Sequence, residues 1–119
     1  PRPLNVRLLD NTFRYGVKTE IRLELVNVNP YPCLRVRVEV RNKNVECEVQ
    51  EIAELAGQDT IEITVPARLW RIDEEFSSLR IRVSYHCLGE SRQQTETLDI
   101  NMRSMMESSF DLEDLDGEL

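Results

Sequence analysis

A regular alternation of apolar and polar residues over residues 34–41 limits what this chain can fold into more than any other feature. Leu34, Val36, Val38 and Val40 alternate there with charged residues, and a period of two places the two sets on opposite faces of an extended strand. The segment therefore predicts a β-strand with one face on a hydrophobic core and the other in solvent.

Shorter alternations recur along the first 103 residues and predict six further strands. Their apolar positions are Leu4, Val6 and Leu8; Ile21, Leu23 and Leu25; Val45, Cys47 and Val49; Ile61, Ile63 and Val65; Leu79, Ile81, Val83, Tyr85 and Cys87; and Leu98, Ile100 and Met102. The polar link at residues 41–44 predicts a hairpin between the third and fourth strands. Residues 51–55 and 68–76 are ambiguous and could each form a turn of helix. Together the segments predict an all-β chain, a seven-stranded immunoglobulin-like β-sandwich over residues 1–103.

The cysteine content favours a reducing environment. Cys33, Cys47 and Cys87 are odd in number and form no C-x-x-C pair. Each falls in or beside an apolar strand pattern, where a thiol packs as a small hydrophobic group. We therefore expect free structural thiols and a cytoplasmic or nuclear location. No stretch approaches the 18 apolar residues of a transmembrane helix.

The net charge of -7 is unevenly distributed along the chain. Residues 104–119 contain six acids and no base, and isolated Phe and Leu residues stand among those acids. Such a composition predicts an acidic flexible tail. Residues 1–103 are nearly neutral, and 13 of the 15 bases in the chain are arginine, which suits forked contacts with carboxylates or phosphates.

Catalytic and metal-binding constellations are not evident in the sequence. The single histidine, His86, has no nearby triad motif, and four glycines cannot supply a phosphate-cradling loop. We therefore expect no enzyme activity, no metal and no cofactor. Arginine could hold phosphate weakly, but the sandwich has few aromatic residues for stacking on bases, so phosphate or nucleic-acid binding is kept only as an alternative.

Four arginines form the main candidate contact site. In an immunoglobulin-like sandwich the strand that carries Arg35 and Arg37 lies beside the strand that carries Arg80 and Arg82. Like charges that face each other destabilise a sheet, and an acidic partner would relieve the repulsion. The alternative is that nearby acids such as Glu39 already neutralise an ordinary solvated face.

Two further contacts are predicted outside this face. Tyr31 lies in a loop rich in proline and asparagine, where it could remain partly exposed. Phe110, Leu112 and Leu115 stand among the acids of the tail in the manner of a short linear motif, which a groove could bind by its apolar side chains.

Two stretches resemble the sandwich subdomains of adaptin appendages, the ear domains of vesicle-coat adaptors. They are residues 19–40, TEIRLELVNVNPYPCLRVRVEV, and residues 79–102, LRIRVSYHCLGESRQQTETLDINM. The resemblance covers less than half of the chain, and no binding residue of the family maps onto it. It implies a module that captures short linear peptides and assembles multi-subunit complexes.

These features together favour a non-catalytic protein–protein interaction module of a larger intracellular assembly, adaptor-like, whose partner is an acidic protein or a short linear peptide. The alternative is a structural dimerisation or scaffold domain that pairs through an edge strand, which would make the chain a homodimer.

Overall fold

The computed structural model describes residues 1–10, 18–69 and 78–99, and these residues form eight β-strands. The strands are β1 (Asn5–Asp10), β2 (Lys18–Val26), β3 (Cys33–Arg41), β4 (Val45–Cys47), β5 (Gln50–Leu55), β6 (Thr60–Leu69), β7 (Ser78–Cys87) and β8 (Glu90–Asp99). No helix occurs in the described ranges. The all-β prediction is confirmed, whereas the predicted number of seven strands is wrong.

The strands form two four-stranded sheets that pack as a sandwich. The first has the order β1-β2-β6-β4 and the second the order β5-β3-β7-β8, and every pair of neighbouring strands is antiparallel. The alternating apolar residues of both sheets face each other, so that Leu23, Val36 and Ile81, for example, are fully buried. This burial supplies the main stabilisation of the fold.

The additional strand is β5, which pairs antiparallel with β3 from Cys33 opposite Leu55 to Val38 opposite Gln50. Residues 51–55 looked ambiguous in sequence because β5 is an edge strand with little to bury. Among its six residues only Leu55 is buried, and Ile52 is half-buried. Because so few of its side chains are buried, β5 lacks a clear alternation of apolar and polar residues.

The hairpin predicted between the third and fourth strands is wrong. Strand β4 pairs with β6 in the first sheet, with Val45 opposite Leu69 and Cys47 opposite Ala67. Asn42 turns the chain, because its side-chain oxygen accepts a hydrogen bond from the Asn44 amide at 2.7 Å. The polar link therefore carries the chain from one sheet to the other.

Strand β8 begins at Glu90, earlier than the predicted last strand, whose first apolar position is Leu98. It pairs with β7 over ten positions, from Cys87 opposite Glu90 to Ser78 opposite Asp99. The two strands are joined by Leu88 and Gly89, which have φ values of 53° and 75° and so match the two-residue turn that fits twisted hairpins. The apolar positions Ile100 and Met102 lie outside the described residues.

Asn27 connects the ends of several strands through its buried side-chain amide. Its nitrogen donates to the carbonyl oxygens of Tyr31, Leu55 and Ala56 at 2.9, 3.2 and 3.2 Å, and its oxygen accepts from the Asn29 amide at 3.0 Å. The loop after β2 is thereby held against the end of β5 in the opposite sheet.

Replacement of Asn27 by alanine should lower the free energy of unfolding by about 2 kcal/mol, because buried carbonyl groups would lose their donor. Urea unfolding followed by circular dichroism measures this change. The control is Asn5→Ala, since Asn5 is exposed. Equal unfolding midpoints for the two variants would show that the Asn27 amide is not structurally important.

Candidate protein-binding face

The four predicted arginines lie on the outer surface of the second sheet, which we call the arginine face (Arg35, Arg37, Arg80 and Arg82). Β3 and β7 are adjacent in that sheet, as the sequence predicted. Inward positions such as Val36 and Val83 are fully buried, so the alternating arginines must point to solvent. Strand pairing therefore brings all four onto one surface.

The register between β3 and β7 offsets most of these charges from one another. Glu39 stands opposite Arg82 and Arg37 opposite Ser84, so the one directly facing arginine pair in the described register is Arg41 with Arg80. The sequence suggested more extensive facing of like charges. The register shifts between Leu34 and Arg37, because β3 holds one more residue than β7 there. Such a bulge bends a strand and redirects its side chains.

Arg35 lies within this bulge and has a φ of 50°. A positive φ is sterically unfavourable for a residue with a Cβ, so the conformation costs about 1 kcal/mol. Position 35 is neither glycine nor asparagine, so the sequence did not predict a left-handed backbone conformation there. The bulge leaves both Leu34 and Arg35 exposed, with Leu34 retaining 45% of its accessible surface.

Glu39 neutralises one part of the arginine face, as the alternative interpretation of the sequence anticipated. Its two carboxylate oxygens lie 3.2 Å from Arg37 and 3.2 Å from Arg41. Arg37 also lies 3.6 Å from Glu51. By contrast, Arg35, Arg80 and Arg82 have no carboxylate within 4.0 Å in the described part of the chain. Among the described residues, three positive charges of the face thus have no ion-pair partner.

Arginines on the outer surface of the first sheet are paired differently. Arg22 lies 2.6 Å from Glu62, and Arg7 lies 3.3 Å from Glu24. The hydrogen bond from Arg22 lowers the pKa of the Glu62 carboxyl below its ordinary value. The strands of both sheets alternate apolar and charged residues in the same way. The sequence of a single strand therefore does not predict which arginines have a carboxylate beside them.

An open groove of about 720 Å³ runs over the bulged end of the arginine face. Arg35 and Arg37 contribute positive charge to it, and Glu51 contributes the one carboxylate of its lining. Further polar groups come from Ser84, His86, Ser91 and Gln93. The groove is large enough for several residues of an extended peptide, and it offers hydrogen-bond donors along its length.

Arg92 also lines the groove, and the sequence did not indicate it as a candidate. It lies on β8 opposite Tyr85, and one of its terminal nitrogens is 2.7 Å from Glu90. Its Nε atom is buried and has no hydrogen-bond partner. Because β8 begins with an almost entirely polar sequence, no alternation indicated which of its side chains face inward.

Neighbouring polar groups hold β8 against the start of the chain. The side-chain nitrogen of Gln94 donates to the Leu4 carbonyl at 2.7 Å, and the Leu4 amide donates to the Gln94 side-chain oxygen at 2.9 Å. The Tyr85 hydroxyl reaches the same oxygen at 3.2 Å, and burial raises the pKa of Tyr85.

His86 contacts the Ser91 hydroxyl through Nδ1 at 3.3 Å. Within the described ranges no carboxylate is hydrogen-bonded to its ring, and no cluster of three or more His, Cys, Asp or Glu side chains could hold a metal ion. The described residues include no helix long and apolar enough to cross a membrane.

Tyr31 does not line the groove. Tyr31 is half-buried against the core, and burial raises its pKa. Phe110, Leu112 and Leu115 lie outside the described residues. Neither a protein-family model nor a curated protein matches the chain.

Removal of an uncompensated arginine should affect stability less than removal of a paired one. We expect Arg80→Gln to leave the free energy of unfolding unchanged or to raise it by up to about 0.5 kcal/mol, since Arg80 faces Arg41. Arg22→Gln should lower it by about 0.5 kcal/mol through loss of the Glu62 pair. Urea unfolding at low salt measures both, and a larger loss for Arg80→Gln would show that Arg80 is compensated.

Proposed function

We propose that this chain is a non-catalytic protein–protein interaction module that binds an acidic segment of a partner on the arginine face. The observation that carries the proposal is the set of three arginines, Arg35, Arg80 and Arg82, that share one sheet surface without a carboxylate within 4.0 Å among the described residues. Carboxylates of a partner would provide the missing charge, and the planar guanidinium groups suit two-point contacts with them.

Exposed apolar side chains near the arginine face favour a bound segment that also contains apolar residues. Leu34 is 45% exposed at the bulge, and Leu88 is 65% exposed in the turn between β7 and β8. Leu34 stands opposite His86, which lines the groove. A segment that combines acids with one or two apolar residues would therefore satisfy both the charge and the apolar surface at this end of the sheet.

The strand pairing supports an immunoglobulin-like type for the sandwich. Β1, β2 and β6 correspond to the A, B and E strands of that fold, and β3, β7 and β8 correspond to C, F and G. The resemblance to adaptin appendages agrees with capture of short linear peptides. We therefore extend the proposal to an adaptor-like subunit of a larger intracellular assembly, in the cytoplasm or nucleus.

Charge reversal on the arginine face tests the proposal. The double variant Arg35→Glu/Arg80→Glu should lose most of the proteins that the unaltered chain captures from cell extract, as quantified by mass spectrometry. The matched control is Arg2→Glu/Arg7→Glu, which has the same net charge but changes exposed residues away from the face. Thermal unfolding verifies that both variants are folded. Equal capture by the two variants would contradict the proposal.

A defined peptide provides a quantitative form of this test. Residues 104–119 of the chain combine six acids with Phe110, Leu112 and Leu115, which is the composition that the face requires. A fluorescent synthetic peptide of this sequence should bind at least about tenfold more weakly to the Arg35→Glu/Arg80→Glu variant than to the control, a difference of about 1.4 kcal/mol. Tighter binding after deletion of residues 104–119 would show that the chain's own tail competes for the face.

A second candidate function is dimerisation through β8. This strand has ten residues, pairs with β7 without a register shift and has no strand on its other edge among the described residues. Regular exposed edges are the sites at which a second chain can extend a sheet. Sedimentation velocity across a hundredfold concentration range should then show a shift from monomer to dimer. A constant monomer would eliminate this candidate.

A further inference from the structure

Two of the three free cysteines lie on neighbouring strands of the second sheet. Cys33 is the first residue of β3 and Cys87 is the last residue of β7. Leu34 stands opposite His86, so one step further along the antiparallel pair brings Cys33 opposite Cys87. Both side chains point into the core, with 0% and 1% of their surface exposed, and the nearby Cys87 thiol contributes to a raised pKa of Cys33.

This placement meets the geometric requirement of a disulfide bond. Directly opposed residues of an antiparallel pair have Cα atoms about 4.5 or 5.5 Å apart, depending on the type of pair. Disulfides span Cα separations of about 4.4 to 6.8 Å, so the backbone spacing of directly opposed residues falls within the range that the bond requires. We propose that Cys33 and Cys87 are an oxidation site that forms a reversible intramolecular disulfide with hydrogen peroxide as oxidant. This proposal does not rest on the proposed binding function.

The reaction proceeds in two steps and consumes one peroxide. One thiol, as its thiolate, attacks a peroxide oxygen, the O–O bond breaks, and a sulfenic acid and one water form. The second sulfur then attacks the sulfenic sulfur, the S–O bond breaks, and the second water leaves. Both thiol hydrogens are found in the two waters, the two sulfurs lose two electrons in total, and a dithiol reductant reverses the change.

Burial slows the first step. Desolvation and the neighbouring Cys87 raise the pKa of Cys33 from its ordinary 9.0 to about 11. Since the thiolate is the reactive species, the raised pKa leaves less Cys33 thiolate at neutral pH than an unperturbed thiol would have. Oxidation should therefore take longer than for an exposed cysteine, and the adjacent second thiol should trap the sulfenic acid once it forms.

Cys47 provides an internal control on the other sheet. It lies on β4, and burial raises its pKa to about 12. Β4 belongs to the first sheet, whereas Cys33 and Cys87 belong to the second. A disulfide that depends on the register of β3 and β7 should exclude Cys47.

The test treats the folded full chain with hydrogen peroxide, alkylates the remaining thiols and maps the peptides without reduction. We expect a monomeric product that has lost two hydrogen atoms and has one alkylated thiol, at Cys47. The peptides that contain Cys33 and Cys87 should be linked to each other. Dithiothreitol should restore all three thiols. Cys47→Ser should form the same link, and Cys33→Ala should not. The oxidised chain should also melt at a higher temperature than the reduced chain, because the bond closes a long loop.

Peptide mapping of the unaltered chain tests the Cys33–Cys87 disulfide even if the Cys33→Ala variant fails to fold. A link that involves Cys47, a disulfide between two chains, or sulfinic acid at Cys33 and Cys87 without a link would overturn the proposal. Three unmodified thiols after peroxide treatment at a concentration that oxidises a free-cysteine peptide to completion would overturn it as well.

Discussion

The pairing of β3 with β7 determines the positions of the features on which this account rests. These two strands form the centre of the second sheet, and their inward residues, including Val38 and Val83, are completely buried in the core. Because side chains alternate along a strand, burial of one set forces the arginines to the outside. The same register brings Cys33 opposite Cys87 inside the core. A shift by one residue would bury the arginines and expose the valines, so hydrophobic burial protects the register.

The outer surface of this sheet is electrostatically different from that of the first sheet. Arg7 and Arg22 have carboxylates of neighbouring strands beside them, whereas Arg35, Arg80 and Arg82 have none within 4.0 Å in the described ranges. Exposed ion pairs contribute little to stability, so their absence costs the fold little. Arginines without an ion-pair partner are therefore compatible with a stable fold, and the proposed partner would supply carboxylates to them.

Where one face of a strand is fully buried, the sequence was sufficient to predict both the strand and its exposed residues. The alternation of β3 predicted the strand and the position of its arginines, and the pattern of β7 did the same. Β5 was not predictable because an edge strand buries few residues, and β4 was assigned to the wrong neighbour because a polar turn does not specify which sheet follows. The bulge at Arg35 and the inward position of Arg92 depend on tertiary packing, for which the local sequence holds no signal.

We propose that the arginines of the second sheet that have no ion-pair partner among the described residues bind an acidic segment. Side-chain Nε–Hε signals of arginine in a nitrogen–proton correlation NMR spectrum report on this directly when the peptide of residues 104–119 is added to the full chain. We expect saturable shifts for Arg35, Arg80 and Arg82, with Arg7 and Arg22 unaffected. Equal shifts for arginines of both sheets, or shifts confined to the first sheet, would contradict it.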